Sequence, residues 1–408
     1  MSFFFFSAYG AAGRLAAPAL RRMILRRLGR GKEIAERIPE RYGITALARP
    51  AGRLIWLHAA SVGETMSALP VIAALAAECE VLLTTGTVTS ARLAAERLPA
   101  AARHQFVPLD VPAWVAAFLN HWRPDCAVFV ESELWPEMLR QIDSRGIPRL
   151  LINARMSARS AARWRFLRRF AGILLYGFRW IHVQSTADAQ RFQALGAGGI
   201  LQWGNLKFAA PLLPVDESAL AALRSSISGP VWLAASTHPG EETIVIAAHQ
   251  LLAPEFPGLV TIIAPRHPER GQEFPFRRRS LGQPPAGEEI YVADTLGELG
   301  LFYRLCRFTF VGGSLVPHGG QNIIEPARLG RPVITGPHIE NFTEAATILR
   351  AQAALVEVTD AASLAAAARH WLQNPQAAQT AGAAGAKAFD GLEDLPARLA
   401  KLILEMAL

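Results

Sequence analysis

At 408 residues and 51% hydrophobic, the chain exceeds the roughly 250 to 300 residues at which a single core stops growing, so two domains are expected. Its formal charge is +8, and of its 42 basic residues only Lys32, Lys207, Lys387 and Lys401 are lysines; such an arginine excess suits anionic lipid or phosphorylated ligands. No stretch interleaves basic and aromatic residues at strand spacing, so nucleic acid is not an expected partner. Cys79, Cys126 and Cys306 are isolated, which excludes a disulfide framework or zinc cluster and fits a reducing compartment.

Residues 1–32 contain no acid, open with Phe3 to Phe6, stay apolar to Leu20 except for Arg14, and end in Arg21, Arg22, Arg26, Arg27, Arg30 and Lys32. A cleaved secretory signal puts its positive charge first, whereas here the charge follows the apolar stretch. That order suits a membrane-associating segment with a cytoplasmic basic flank. Interrupted by Arg14, the stretch is marginal for a hydrocarbon core of about 30 Å, which leaves an interfacial helix on anionic lipid beside a spanning one, with an arginine-rich transit peptide as a third reading.

Short apolar runs then alternate with helix-like segments, as in a mostly parallel sheet. The first series is Leu54–His58, Val81–Thr84, Gln105–Pro108, Ala127–Val130, Leu150–Ile152 and Ile181–Gln184. A second runs Val231–Ala234, Val260–Ala264, Ile290–Val292, Phe308–Val311, Val333–Thr335 and Leu355–Val358, with a join near Pro211 to Pro230. The fold class is therefore α/β with two doubly wound domains, and ligands in such sheets bind beyond the strands' carboxyl ends.

The strand ends carry the chemistry. After Leu54–His58 comes AASVGET, in which Ser61-x-x-Glu64 on spacing alone reads as a capping box with Glu64 structural, and a general base is the competing reading of Glu64. After Ala127–Val130 comes ESELWPEM, where one of Glu131 and Glu133 faces the ligand and one fixes the loop. Lys207 in GNLKF is a rare lysine, either solvated in a linker or a compact cation for an anionic substrate. Strand Val260–Ala264 ends in PRHPER; Arg266 suits a phosphate, with Pro265 and Pro268 bracing its loop. In DTLGEL, Asp294 or Thr295 reads as the cap of an ordinary helix. The stretch from Val311 to Phe342 reads as a buried strand, a turn at Gly319-Gly320, a helix start near Gln321 to Glu325 fixed by Pro326, and a second strand. Glycine at a strand's carboxyl end lets backbone approach a nucleotide, and Glu325 at the mouth of the turn suits the hydroxyls of a ribose. Asn322 as a cap and Glu325 as a first-turn acid describe the same residues without any ligand.

The motifs HAASVGET, ESELWPEMLR, INARMS, GNLKF, AASTHPGEE, APRHPER, DTLGEL, FVGGSLVPHGGQNIIEP and GPHIENF, in this order, resemble the 3-deoxy-D-manno-octulosonic acid (Kdo) transferase family. The resemblance spans about residues 53 to 342. It implies a GT-B glycosyltransferase: two Rossmann-like domains facing a cleft, an N-terminal membrane association, CMP-Kdo as co-substrate, a lipid A precursor as acceptor, and no required metal or cofactor. It implies a membrane-associating segment over 1–32, an acceptor-binding domain over 33–212, a CMP-Kdo-binding domain over 213–390, and a C-terminal helix over 391–408 crossing back to the first domain. It makes Glu64 the general base and Glu131 and Lys207 stabilisers of the transition state. Pro265, Arg266, Leu296, Gly297, Glu298, Asn322, Ile323, Ile324 and Glu325 match the CMP-binding segments. The implied setting is the cytoplasmic face of a bacterial inner membrane. A GT-B sugar-nucleotide epimerase or lipid disaccharide synthase with a uridine donor shares the fold, and a non-enzymatic basic peripheral membrane protein is the third reading.

Overall fold

Apolar runs flanked by alanine-rich helices become two all-parallel sheets because each strand is buried on both faces, which a βαβ crossover provides. The structure is a computed structural model describing residues 2–209, 212–285, 287 and 289–408, with side chains from residue 5 onward. Pro211 of the expected join and the side chains of Phe3 and Phe4 lie outside the described residues. The chain divides into two units, Met1–Ala210 with Gly391–Leu408, and Pro211–Asp390.

In the first unit the strands are β1 (Leu54–His58), β2 (Glu80–Thr85), β3 (Ala102–Phe106), β4 (Cys126–Val130), β5 (Arg149–Ala154), β6 (Phe178–Val183) and β7 (Ile200–Leu201). Their order is β3-β2-β1-β4-β5-β6-β7. Alternation along β1 sends Leu54 and Trp56 to one face, against Phe118, Trp122 and Phe129, and Ile55 and Leu57 to the other, against Val128 and Val130. The second face is closed by the C-terminal helix Leu395–Met406, whose Leu395, Leu399 and Ile403 are fully buried there.

The second unit repeats the plan with β8 (Val231–Thr237), β9 (Val260–Pro265), β10 (Arg277–Arg278), β11 (Ile290–Val292), β12 (Thr309–Val311), β13 (Val333–Thr335) and β14 (Leu355–Glu357). Their order is β10-β11-β9-β8-β12-β13-β14. Each sheet reverses its winding beside its first strand, between β1 and β4 and between β8 and β12. Such a reversal opens a crevice beyond the carboxyl ends of the two strands. The twelve expected strands all form; β7 and β10, two residues each, were not anticipated.

The N-terminal segment is one helix, Ser2–Leu28, with Pro18 inside it. One side lies on the first unit: Phe5 and Phe6 meet the ring of Phe170 at 5.5 and 5.9 Å, Ile24 is buried, and Arg21 sits over the rings of Tyr42 and Trp114. The other side exposes Leu15, Met23 and Leu25 together with Arg22 and Arg26, and Arg30 is exposed in the turn that follows. Among the described residues no helix is long and apolar enough to cross a membrane.

Candidate functional site

The first crevice collects three acids and a lysine. Ser61 caps the helix Val62–Leu75, and its hydroxyl accepts from the Glu64 amide at 3.3 Å. The Glu64 carboxylate folds back, accepting the Ala60 N–H at 2.7 Å and the Ser61 O–H at 2.8 Å. Only 8% of the residue is exposed. Burial pushes the Glu64 carboxyl above its ordinary range; the Ser61 and Ala60 hydrogen bonds oppose this, and the nearby Glu133 and Glu131 reinforce it.

Directly after β4, Glu131 takes a left-handed backbone, φ 62°, which costs a non-glycine residue roughly 1 to 2 kcal/mol. The cost is met by two backbone hydrogen bonds to the β5 strand and its exit, Glu131 N–H to Ile152 C=O at 3.1 Å and Arg155 N–H to Glu131 C=O at 3.4 Å. Its carboxylate pairs with Lys207 Nζ at 3.0 Å. Lys207 is held in turn by its turn: Asn205 Oδ1 accepts the Lys207 amide at 2.9 Å, and Asn153 Oδ1 accepts the Leu206 amide at 2.9 Å. A half-exposed pair of this kind adds only about 0 to 1 kcal/mol of stability, so its meaning is positional.

Glu133 has the other role left open by the sequence. Its Oε2 accepts the Trp135 indole N–H at 2.6 Å and lies 3.5 Å from His58 Nε2. Burial raises the Glu133 carboxyl, but His58 and Trp135 outweigh it and hold it below the ordinary range. Glu133 therefore ties its loop to β1. Two carboxyls driven in opposite directions within one crevice make Glu64 the candidate for exchanging a proton and Glu133 a fixed anion.

In the second unit a cavity of about 230 Å³ opens beyond β8, β9 and β11, lined by Pro265, Arg266, Leu296, Gly297, Asn322 and Glu325, with Ser236 and Gln321 beside them. Arg266 is exposed, and its amide donates to Thr237 C=O at 2.9 Å. At the start of the helix Ile324–Arg328, Asn322 Oδ1 accepts the Ile324 amide at 3.0 Å, and the Asn322 side-chain N–H donates to Glu325 Oε1 at 3.0 Å. Burial pushes the Glu325 carboxyl up, with the Asn322 hydrogen bond opposing it. The helix spans five residues, so little macrodipole stands behind its first turn and the cavity's positive character comes chiefly from Arg266.

The comparisons with known proteins agree with this layout. Residues 36–210 match the family model described as 3-Deoxy-D-manno-octulosonic-acid transferase (kdotransferase). A protein of Arabidopsis thaliana named "Probable 3-deoxy-D-manno-octulosonic acid transferase, mitochondrial" is 34% identical over 95% of this chain and 93% of its own length. The 3-deoxy-D-manno-octulosonic acid transferase of Rickettsia bellii is 35% identical over 82% of this chain and 83% of its own. The chain belongs to the Kdo transferase family. Its fold is GT-B: the crystal structure of the glycotransferase of kitacinnamycin, 14% identical, superposes with a TM-score of 0.53 over 88% of this chain and 100% of that one.

Within this transferase, not every expected residue reaches its cavity. Ile323 and Ile324 are buried in the packing and contribute no side chain to the lining. Glu298 turns away to a bidentate pair with Arg279, 2.7 Å at its shortest, which holds its carboxyl below the ordinary range. The expected cap at Asp294 or Thr295 is corrected: the helix begins only at Leu299, because Gly297 at φ 82° turns the chain first. Asp294 instead accepts Ser280 N–H and O–H at 2.8 and 2.7 Å.

Sequence reasoning gave no role to three groups of the transferase. Ser236, at φ 54° in the last turns of β8, lines the cavity without any local signature. Glu241, fully buried, accepts four backbone N–H groups, from His238, Gly313, Ser314 and Leu315, at 2.7 to 3.0 Å. A side chain at Gly312 would collide with that carboxylate and with the Ser236 carbonyl, so glycine is required there. Glu242 binds Thr237 Oγ1 at 2.9 Å and Arg270 at 2.5 Å, bracing the β8 and β9 loops. A GEE pair at a strand exit, like GET after β1, was the available signal.

Proposed function

We propose that this chain is an inverting glycosyltransferase that moves Kdo from CMP-Kdo to a hydroxyl of the lipid A precursor. The observation that carries the reading is Glu64: a buried carboxyl, raised by its surroundings, at the reversal point of the first sheet, beside the Glu131–Lys207 pair. Membership of the Kdo transferase family supplies the donor and acceptor classes.

In this reading an acceptor hydroxyl gives its proton to Glu64, and its oxygen forms a bond to the anomeric carbon of Kdo. The bond from that carbon to the phosphate oxygen breaks with its electron pair, leaving CMP and inverting the centre. Glu131 keeps Lys207 aimed, and the two answer the charge that moves. The nucleotide belongs in the second unit's cavity, with Glu325 on the ribose hydroxyls and Arg266 on the phosphate. Side-chain cations neutralise the leaving group, and no metal is assigned to the step.

The segment Ser2–Leu28 is read as an interfacial helix that holds the enzyme on the cytoplasmic face of a bacterial inner membrane. Its exposed Leu15 and Leu25 and its exposed arginines support lying on anionic lipid, and the absence of a sufficiently apolar helix among the described residues favours that over spanning. Purified protein given CMP-Kdo and lipid A precursor should yield a product heavier by one or more Kdo residues. No product from this donor, with turnover of a uridine sugar nucleotide instead, overturns the assignment.

A further inference from the structure

Three imidazoles gather at the reversal point of the second sheet, and the nucleotide reading leaves them without work. His238 follows β8, His267 follows Arg266 at the exit of β9, and His318 lies in the glycine turn after β12. Since β9, β8 and β12 are neighbours in the sheet, three adjacent loops deliver one ring each. The rings of His238 and His318 stack with centroids 4.3 Å apart and planes at 23°, and His267 stands edge-on at 6.4 Å from His238. Gln321, a lining residue of the cavity, places its side-chain nitrogen 3.0 Å from His238 Nε2. Glu241 anchors the whole turn through the His238 amide at 2.9 Å.

Packing alone accounts poorly for this arrangement. His267 and His318 are exposed and His238 half-buried, so the rings fill no core. Among the described residues no three His, Cys, Asp or Glu side chains are gathered to hold a metal ion, so the trio is no metal site. What the three rings share is donor capacity beside an arginine, which is a means of meeting negative charge.

We propose that His238, His267 and His318 form a second anion subsite, which takes the carboxylate of the donor's sugar acid next to the phosphate at Arg266. This rests on the CMP-Kdo reading. In such a donor the carboxylate and the phosphoester oxygen are bonded to one anomeric carbon, so two anionic groups arrive side by side. A single guanidinium fork meets one of them bidentately. Imidazoles from the neighbouring loops are placed to meet the other, and a ring that is protonated donates from both nitrogens.

The charged groups facing His238 are His318, Glu241, His267 and Arg266. Burial first, then His318, His267 and Arg266, hold the His238 ring below the ordinary imidazole range, with Glu241 opposing. The His238 ring is therefore held neutral at neutral pH, and an arriving carboxylate draws a proton onto it. Binding of the sugar acid weakens as pH rises through the imidazole range, because the proton becomes harder to recruit.

The test uses the full chain, titrated with CMP and assayed for KM and kcat/KM with CMP-Kdo, from pH 6 to pH 8. Substitutions His238→Gln and His318→Gln are expected to leave the Kd for CMP within about twofold and to lower kcat/KM for CMP-Kdo about tenfold or more, the loss of a charge-assisted hydrogen bond. In the unsubstituted enzyme KM for CMP-Kdo should climb with pH faster than the Kd for CMP, and His238→Gln should flatten that difference. Equal weakening of both ligands assigns the rings to the phosphate and overturns the proposal, as does no effect on either. If the unsubstituted chain binds no CMP, the nucleotide reading falls and the subsite with it, an outcome recognisable before any variant is made.

Discussion

Replacing Glu64 by glutamine separates the two roles that its position allows. The substitution keeps the side chain's shape: the amide oxygen still accepts the Ala60 N–H now held at 2.7 Å, and the amide nitrogen still reaches the Ser61 hydroxyl at 2.8 Å. It removes the proton acceptor. General base catalysis contributes about 10² to 10⁴ in rate, and at about 1.36 kcal/mol per decade this is some 2.7 to 5.4 kcal/mol of transition-state stabilisation. Turnover of CMP-Kdo should fall by that factor while a CMP titration stays unchanged. Stability should move the other way. A carboxyl whose folded pKa lies above its unfolded value binds its proton more tightly when folded, so stability is lost as pH rises through the folded pKa. Ionised Glu64 therefore costs stability at neutral pH, and Glu64→Gln should hold or raise the Tm. The acid limb of the wild-type pH–rate profile should sit above the ordinary glutamate range and vanish from the residual activity of the variant. Activity within a few fold of wild type, or a Tm several degrees lower, would refute the reasoning and return Glu64 to a purely capping role. Truncation to alanine should abolish transfer too, but it also strips the Ala60 amide of its acceptor and is the less clean probe.

Arg266→Ala should weaken CMP binding about tenfold or more by calorimetric titration, since a hydrogen bond to a charged group contributes about 1.5 to 3 kcal/mol; an unchanged isotherm removes it from the cavity. Glu241→Ala should strip four backbone donors of their acceptor; at about 1 to 3 kcal/mol per orphaned buried group, a loss of at least about 3 kcal/mol is expected. In a unit of this size that is a drop of roughly 6 to 12 °C in Tm, and a drop under about 2 °C contradicts the role given to it. Changing Arg22, Arg26 and Arg30 together to glutamine should cost about 3 kcal/mol of binding to phosphatidylserine vesicles, about a hundredfold, with no change on neutral vesicles. Equal binding of the variant and the parent protein to anionic vesicles would place the lipid contact elsewhere. A chelator should leave the transfer rate unaltered, and recovery of a lost rate by added divalent ion would show that side-chain cations do not suffice.

The fold was legible where burial dictated sequence. β1, β11 and β13 fall where the apolar runs end, because a strand covered on both faces must be apolar throughout. β7 and β10 lie at sheet edges, and Arg277–Arg278 carries no apolar run to detect. Candidate residues were legible where a strand exit brought an unusual side chain, as with Glu64 and Arg266, and where a glycine turn led into a helix start, as with Glu325. Ser236 was not, since its left-handed backbone sits at the irregularity in the β8–β9 register between Ala235 and Thr237, which no local residue pattern announces. Glu298 was misplaced because its pairing depends on Arg279, nineteen positions away in the chain but adjacent in space. Sequence spacing does not carry such a contact.

Capping and the proposed base role of Glu64 are one arrangement rather than competitors. A cap needs a carboxylate folded back onto the first turn, and that fold fixes the oxygens by two hydrogen bonds from Ala60 and Ser61. The same bonds lower the carboxyl's pKa, so a cap in open solvent would be too weak a base for a hydroxyl. Here burial outweighs them, and Glu131 and Glu133 add to it. The acids are kept close without collapse because each has its own tether, Lys207 for Glu131 and Trp135 with His58 for Glu133. Cutting the Lys207 tether leaves the charge of Glu131 uncompensated beside Glu64, which raises the base still higher. Lys207→Met should therefore move the acid limb of the pH–rate profile toward higher pH as well as slow transfer. A slower enzyme with an unmoved acid limb would show that Lys207 acts on the substrate alone.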